Sequence, residues 1–305
     1  MARVVLVTGV GRYLGARVAA RLAGDRSISR VIGVDNAPAR PELDGSRLEF
    51  VRADIAHPLV ATVLEQAGAD TVVHIGRDAT RTESAGLLRA CREVSALRRV
   101  VVASTTDVYG GSAHDPAVFD EHSPVSELPR GPGRSAIALE TGLRALGRQR
   151  SDVALTALRL ATPVGPGIDS WLTRYLAHPV APSALGFDPL VQLLHEHDAV
   201  EALVHATRTV RPRVPRVVNV AGAGVLALSQ VLRLARVLRV PVLAPLVGPR
   251  LQYTRVVDTT RLVRELGYRP RYTTLEALYA HLRARRMLPA STTATAVGRL
   301  VGAAP

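Results

Sequence analysis

Thr8, Gly9, Gly11 and Gly15 have the residue types and spacing to cradle a phosphate group. Glycines permit a tight turn and close backbone approach, and where such a turn opens a helix, its N–H groups and positive dipole end favour an anion. Asp35, about twenty residues further on, stands where a carboxylate would hydrogen-bond a ribose hydroxyl. Together these residues make a dinucleotide the expected ligand. A second polar constellation, His195, His197 and Asp198, has the types of metal ligands. Two histidines with no third ligand in the pattern read as structural, and no metal is expected. Cys91 is the only cysteine and reads as a small buried thiol, so neither an intrachain disulfide nor a cysteine metal site can form. His74 reads as a core residue.

The elements that must position these groups follow from hydrophobic periodicity. Residues 4–7 are all apolar and rich in valine, as in a strand buried on both faces, and residues 16–22 continue at helical spacing. Further strands are predicted at 30–34, 48–52, 70–75, 99–103 and 154–160, with helices at 58–67, 82–97 and 135–148. This alternation requires right-handed crossovers and predicts an α/β fold, a Rossmann-type doubly wound parallel sheet whose strand ends share one crevice. Residues 110–133, rich in Pro, Gly, Ser, Asp and Glu, predict a long loop. Beyond Pro163, short strands at 190–194 and 217–220 alternate with helices at 199–207, 228–238, 259–266 and 274–285. The expected organisation is a dinucleotide-binding domain at 1–161, a smaller substrate lobe at 162–288 with pieces returning to the sheet, and a flexible tail at 289–305.

The chain carries a formal charge of +13, and all 39 of its basic residues are arginine. Without a lysine, any mechanism that needs a lysine amine is excluded. The arginines are scattered rather than gathered among aromatics, so nucleic acid is not an expected partner. Arg233, Arg236 and Arg239 are predicted to share one solvated helix face. A small anionic substrate or cofactor accounts for the positive balance. No apolar segment reaches membrane-spanning length, and glycines interrupt the first apolar run too early for a signal peptide. A cytoplasmic protein without membrane contact is expected.

Beyond these local readings, the chain resembles the extended short-chain dehydrogenase/reductase family, the NAD-dependent epimerases and dehydratases of nucleotide sugars. The resemblance runs from residue 1 to about 285. It rests on the glycine loop and Asp35, on Asp54-Ile55, on Val73-His74-Ile75 and on the STTDVYG stretch from Ser104 to Gly110. Leu158-Arg159-Leu160, Gly165-Pro166, LHEHDA at 194–199, Asn219-Val220-Ala221-Gly222 and VDTTRLVRELGYRP at 257–270 extend it. It implies that Thr8, Gly9, Gly11, Arg12, Tyr13, Leu14, Gly15, Asp35, Asp54 and Ile55 bind NAD. It also implies hydride chemistry on a carbinol, with Thr105 positioning the substrate hydroxyl and Tyr109, four residues later, as a candidate catalytic group. Arg134, Ser135 and His195 are the implied substrate contacts. A homodimer paired through a helix bundle that includes residues 135–148 is a further implication.

Two departures qualify the resemblance. The family's YxxSK segment aligns with Pro132-Gly133-Arg134-Ser135-Ala136, followed by Glu140, so Pro132 stands for the catalytic Tyr and Ala136 for the Lys. A positioned general acid or base contributes about 10² to 10⁴ in rate, and the standard turnover is therefore not expected. An enzyme working by a non-standard route on a sugar-like or nucleotide-linked substrate, and a catalytically silent sensor or scaffold, both follow. The second departure is in the glycine loop, where Arg12 occupies the place of the middle glycine. Its guanidinium would either crowd the diphosphate or bind it. Asp35 would repel a 2′-phosphate and favour NAD, while Arg12 and Arg40 leave NADP open.

Overall fold

Valine-rich strands alternate with amphipathic helices through the first half of the chain, so the inner strands of the sheet are buried on both faces. The computed structural model describes residues 3–43, 47–76, 81–127, 131–208 and 215–287. The tail expected at 289–305 lies outside the described residues. In chain order the elements begin with β1 (Arg3–Thr8), α1 (Tyr13–Ala23), β2 (Ile28–Asp35), β3 (Leu48–Arg52), α2 (Leu59–Gln66) and β4 (Thr71–His74). Next come α3 (Arg81–Glu93), β5 (Arg99–Thr105), α4 (Pro132–Gln149), β6 (Ala154–Leu160), β7 (Thr162–Val164), α5 (Trp171–Tyr175) and β8 (Val180–Ala184). They are followed by β9 (Leu190–Val191), β10 (Leu193–His195), α6 (Glu196–Ala206), β11 (Arg216–Val220), β12 (Leu226–Ala227), α7 (Leu228–Leu234), β13 (Leu238–Val242) and α8 (Thr274–Ala284).

Seven strands form the main sheet in the order β11-β6-β5-β4-β1-β2-β3. The pairs β1–β2, β1–β4, β2–β3 and β4–β5 are parallel, which gives the doubly wound topology expected from the alternation. The strand order reverses between β1 and β4, where such sheets open a crevice at their carboxyl ends. In that register Thr8 lies opposite His74.

The chain divides into two compact units. The first runs through Val108, resumes for α4 and for β6 as far as Arg159, and includes Val200–Val218. Leu6, Val72, Leu87, Val100 and Leu143 belong to its buried core. The second holds the loop from Tyr109, Leu160–Ala199 and the chain from Asn219 onward. Its core centres on Val164, Leu172, Leu193, Val231 and Leu278. Among the described residues, no helix is long and apolar enough to cross a membrane.

The second unit departs furthest from the periodicity. The single strand expected at 190–194 is two short ones, β9 and β10, because Gln192 turns its amide to the Val257 backbone and the Gly222 carbonyl. The helix expected at 259–266 is present from residue 260, and its Leu262–Leu266 stretch is a π-helical turn. The helix expected at 228–238 stops at Leu234, so Arg233, Arg236 and Arg239 share no helix face. Its C-terminus is closed by Arg236 N–H on Arg233 O and Val237 N–H on Leu232 O, with Arg236 in the left-handed region at φ 56°. This is the helix stop that glycine usually supplies. The chain then enters β13, which pairs in parallel with β8, and neither strand was expected. Replacing Arg236 by Gly removes the Cβ from a left-handed residue. Arg236→Gly should therefore leave stability unchanged or raise it by up to ~1 kcal/mol in urea unfolding, whereas Leu234→Gly, inside the helix and core, should lower it by ~2 kcal/mol or more.

Candidate functional site

The glycine loop is shaped by contacts that leave no room for side chains. Gly9 has φ +80°, and a Cβ there would stand 2.1 Å from the Ile75 carbonyl oxygen. A Cβ on Gly15 would stand 2.0 Å from the Gly9 carbonyl oxygen, so α1 begins directly against the turn that leaves β1. Arg12 is the N-cap of α1, its side chain exposed. No side chain caps that helix, and its first turn, which contains Tyr13, Leu14 and Gly15, holds no acid. The positive end of the helix dipole is therefore not balanced by an acid of its own first turn, and an anion there would be favoured.

Asp35, at the end of β2, is tied to this loop. Its Oδ2 accepts the Gly11 N–H at 2.9 Å and its Oδ1 accepts the Ala37 N–H at 2.9 Å. A Cβ on Gly11 would lie 3.0 Å from the Asp35 carboxyl carbon and 2.8 Å from the Ala37 Cβ, which explains the glycine one place before Arg12. Each carboxylate oxygen keeps a lone pair for a ligand hydroxyl. Asp54 follows β3 and accepts the Ala56 N–H at 2.8 Å, while Ile55 packs on the core of the unit. This donor and acceptor set fits a dinucleotide: a helix start for phosphate, and a fixed carboxylate beside it for a diol.

Behind the loop, Thr8 Oγ1 and His74 Nδ1 are 2.7 Å apart and fully buried. His74 Nε2 is buried without a partner among the described residues. Burial lowers the imidazole pKa to about 4 and keeps the ring neutral. Cys91 is likewise buried, its thiol pushed up to about 12 by desolvation, and is no nucleophile.

Thr105 ends β5, and its Oγ1 accepts the Asp107 N–H at 3.2 Å. The first turn of α4 lies against this segment, since a Cβ on Gly133 would stand 2.5 Å from the Asp107 carbonyl oxygen. Helix α4 starts three residues earlier than expected, because Gly131 turns at φ 51° and Pro132 suits the first helical position. The turn that carries Pro132, exposed Arg134, half-buried Ser135 and buried Ala136 thus starts against Asp107, two residues past Thr105. What holds α4 there is a buried cluster whose joint role the sequence reading missed. Arg159 on β6 donates through Nε and Nη2 to the two oxygens of Glu140 at 2.9 and 2.7 Å, and Ser104 Oγ donates to Glu140 Oε1 at 2.6 Å. In the sequence Glu140 and Arg159 stand only as separate pieces of the resemblance, with nothing to show that they meet.

Tyr109 and His195 belong to the second unit. Tyr109 is 2% exposed, stacks on Phe119, and has its hydroxyl 2.9 Å from the Asp120 carbonyl and 2.8 Å from Asn219 Oδ1. So placed, it fixes the loop, and this geometry offers no support for a role in proton transfer. His195 stacks on Tyr272 with ring centres 3.9 Å apart and accepts the His197 N–H at Nδ1. Burial lowers its pKa. Asp198 is fully buried and accepts the N–H groups of Arg271 and Tyr272, each at 2.9 Å. Among the described residues, no three His, Cys, Asp or Glu side chains gather to hold a metal.

A doubly wound parallel sheet with a glycine turn at its switch point and a carboxylate on the neighbouring strand defines a Rossmann-type dinucleotide fold. Residues 5–221 match the NAD dependent epimerase/dehydratase family, and the chain belongs to it. An uncharacterized protein of Mycobacterium tuberculosis strain H37Rv is 40% identical over 326 aligned positions, covering 94% of this chain and 85% of that protein. Among solved structures, MoeE5 in complex with UDP-glucuronic acid and NAD aligns with a TM-score of 0.76 at 23% identity, over 94% of this chain and 100% of that one. The UDP-glucose 4-epimerase of Thermotoga maritima with UDP-glucose aligns with a TM-score of 0.76 at 18% identity, over 93% and 98% of the two chains. The dTDP-glucose 4,6-dehydratase of Bacillus anthracis with NAD gives 0.76 at 16% identity, over 93% and 97%. At these identities the likeness is one of fold.

Two measurements probe the buried groups. Arg159→Met should cost about 3–5 kcal/mol in chemical denaturation by leaving Glu140 buried and unpaired, while the double replacement Glu140→Met with Arg159→Met should cost distinctly less than the single one. For His74 the folded pKa, about 4, lies below the ordinary 6.5, so the unfolded chain takes up the proton first. Its contribution is complete above about pH 6.5 and is lost as the pH falls toward 4, by roughly 3 kcal/mol in all. Unfolding free energies between pH 7 and pH 5 should fall less steeply in His74→Gln than in the wild type.

Proposed function

We propose that the chain is a NAD-binding protein of the epimerase/dehydratase type that acts on a sugar-like or nucleotide-linked small molecule without the family's Tyr and Lys pair. The observation that carries this reading is the Asp35 carboxylate held on the Gly11 N–H beside the uncapped start of α1. The turn from Arg12 to Gly15 takes the diphosphate, with the Arg12 guanidinium as a further contact. Asp35 accepts from the ribose diol and disfavours a 2′-phosphate, so NAD is preferred over NADP, although Arg12 and Arg40 keep NADP within reach. Thr8, Gly9, Asp54 and Ile55 complete this side of the site.

When bound, the nicotinamide supplies hydride transfer at a carbinol carbon. Thr105 orients the substrate hydroxyl, and Arg134, Ser135 and His195 are its proposed contacts. Pro132 and Ala136 have no titratable group, so the hydroxyl proton leaves by another route at a rate about 10² to 10⁴ lower. Nucleotide sugars bound to MoeE5 and to the Thermotoga enzyme support the substrate class. A homodimer through α4 and a cytoplasmic location belong to the same proposal.

The same two residues favour a second reading, a catalytically silent member that senses NAD or a metabolite, or scaffolds a partner. Calorimetry with NAD and NADP tests the shared part. One NAD should bind per chain, tighter than NADP, and Asp35→Ala should weaken it by about tenfold. Absence of NAD binding would sink both readings. Substrate-dependent change in nicotinamide absorbance, across a panel of nucleotide sugars, alcohols and ketones, separates the enzyme from the silent form.

A further inference from the structure

A pocket of about 620 Å³ lies wholly within the second unit, apart from the glycine loop. Pockets of roughly 300–1,000 Å³ suit a small ligand. Much of its wall comes from the end of β8, the turn after it and the start of β9. Ala184, Leu185, Phe187 and Leu190 line it there, and Gly186, at φ +77°, turns the chain between two of them. Leu185, Phe187 and Leu190 keep 61%, 42% and 39% of their surface exposed. Open apolar surface of this kind is costly unless something covers it. Ala113, Pro116 and Ala117 continue the apolar lining.

The polar inventory is narrow. None of the described residues lining the pocket is basic, although the chain carries a formal charge of +13. Arg239, which donates to the Phe187 carbonyl at 3.2 Å, turns its Nε to Ser183 at 2.8 Å and lies 3.9 Å from Asp188. The Gln252 amide donates to the carbonyls of Ala244 and Val247 at 2.7 and 2.5 Å, and Thr254 Oγ1 accepts the Leu190 N–H at 3.0 Å. Asp115 uses one oxygen to accept the Ser112 N–H at 2.6 Å. Among the described residues no hydrogen bond takes the Tyr253 hydroxyl or the second Asp115 oxygen, and both remain for a ligand. A phosphate brought here would meet a carboxylate and no lining cation to balance it, an arrangement that disfavours binding.

We propose that this pocket binds an uncharged, mainly apolar molecule whose hydroxyl or amide end meets Tyr253 and Asp115. Occupancy of the pocket is independent of the dinucleotide.

Titration of the full chain with the neutral fluorophore N-phenyl-1-naphthylamine tests it. Saturable binding at one site per chain is expected, weakened by about tenfold or more in Phe187→Asp. Leu238→Asp, at a position 64% exposed and outside the lining, should bind as the wild type does. Millimolar UDP-glucose should leave the probe in place. Unsaturable binding, wild-type affinity in Phe187→Asp, or displacement by UDP-glucose would each overturn the proposal. If Phe187→Asp loses its far-ultraviolet circular dichroism, Leu185→Asp, at a more exposed position, carries the same expectation. NAD calorimetry on the same proteins reports separately: loss of NAD binding with the probe retained defeats the dinucleotide reading and leaves the pocket standing.

Discussion

The buried pair of Glu140 and Arg159 constrains everything around the end of β5. Two charges removed from water are tolerable only when nearly all their hydrogen-bonding capacity is met, and here the guanidinium meets both carboxylate oxygens while Ser104 meets one of them again. That requirement sets the depth at which α4 lies on the sheet. Once the depth is set, Gly133 must sit on the Asp107 carbonyl, two residues past Thr105. The chemistry available at that corner is therefore decided by which side chains α4 carries in its first two turns.

The glycine loop obeys a different constraint, one of space. Gly9 and Gly15 touch backbone oxygens at distances no side chain allows, and Gly11 makes room for Asp35. Backbone geometry here does two jobs at once. It brings the start of α1 up to the end of β1, and it holds a carboxylate at a fixed place beside that helix start. The Thr8 to His74 contact closes the rear of the same arrangement with an imidazole that burial keeps uncharged.

Much of this was legible in the sequence, and what was not has a common cause. Strands of valine and isoleucine separated by helical runs announce a parallel sheet, because local periodicity and burial agree at every step. The glycine spacing and Asp35 are readable for the same reason. The meeting of Ser104, Glu140 and Arg159 is not, since three residues spread over 56 positions carry no local sign of one another. β8 and β13 were missed on similar grounds. Their pairing spans 59 positions at the Val180 and Leu238 register, and the left-handed turn at Arg236 lacks the glycine that usually marks a helix end. Gln192 breaks a strand only because the Val257 and Gly222 backbones are there to meet it.

Pro132 and Ala136 differ in how freely each could change. Proline at the first position of a helix gives up no intrahelical hydrogen bond, so that position is free to change with little effect on folding. Ala136, one turn on, is only 6% exposed, and a cation restored there would have to shed its water without a prepared partner. A titratable side chain would thus be accepted easily at one position and resisted at the other. The packing at Ala136, more than the turn at Pro132, therefore decides which side chains the start of α4 can carry.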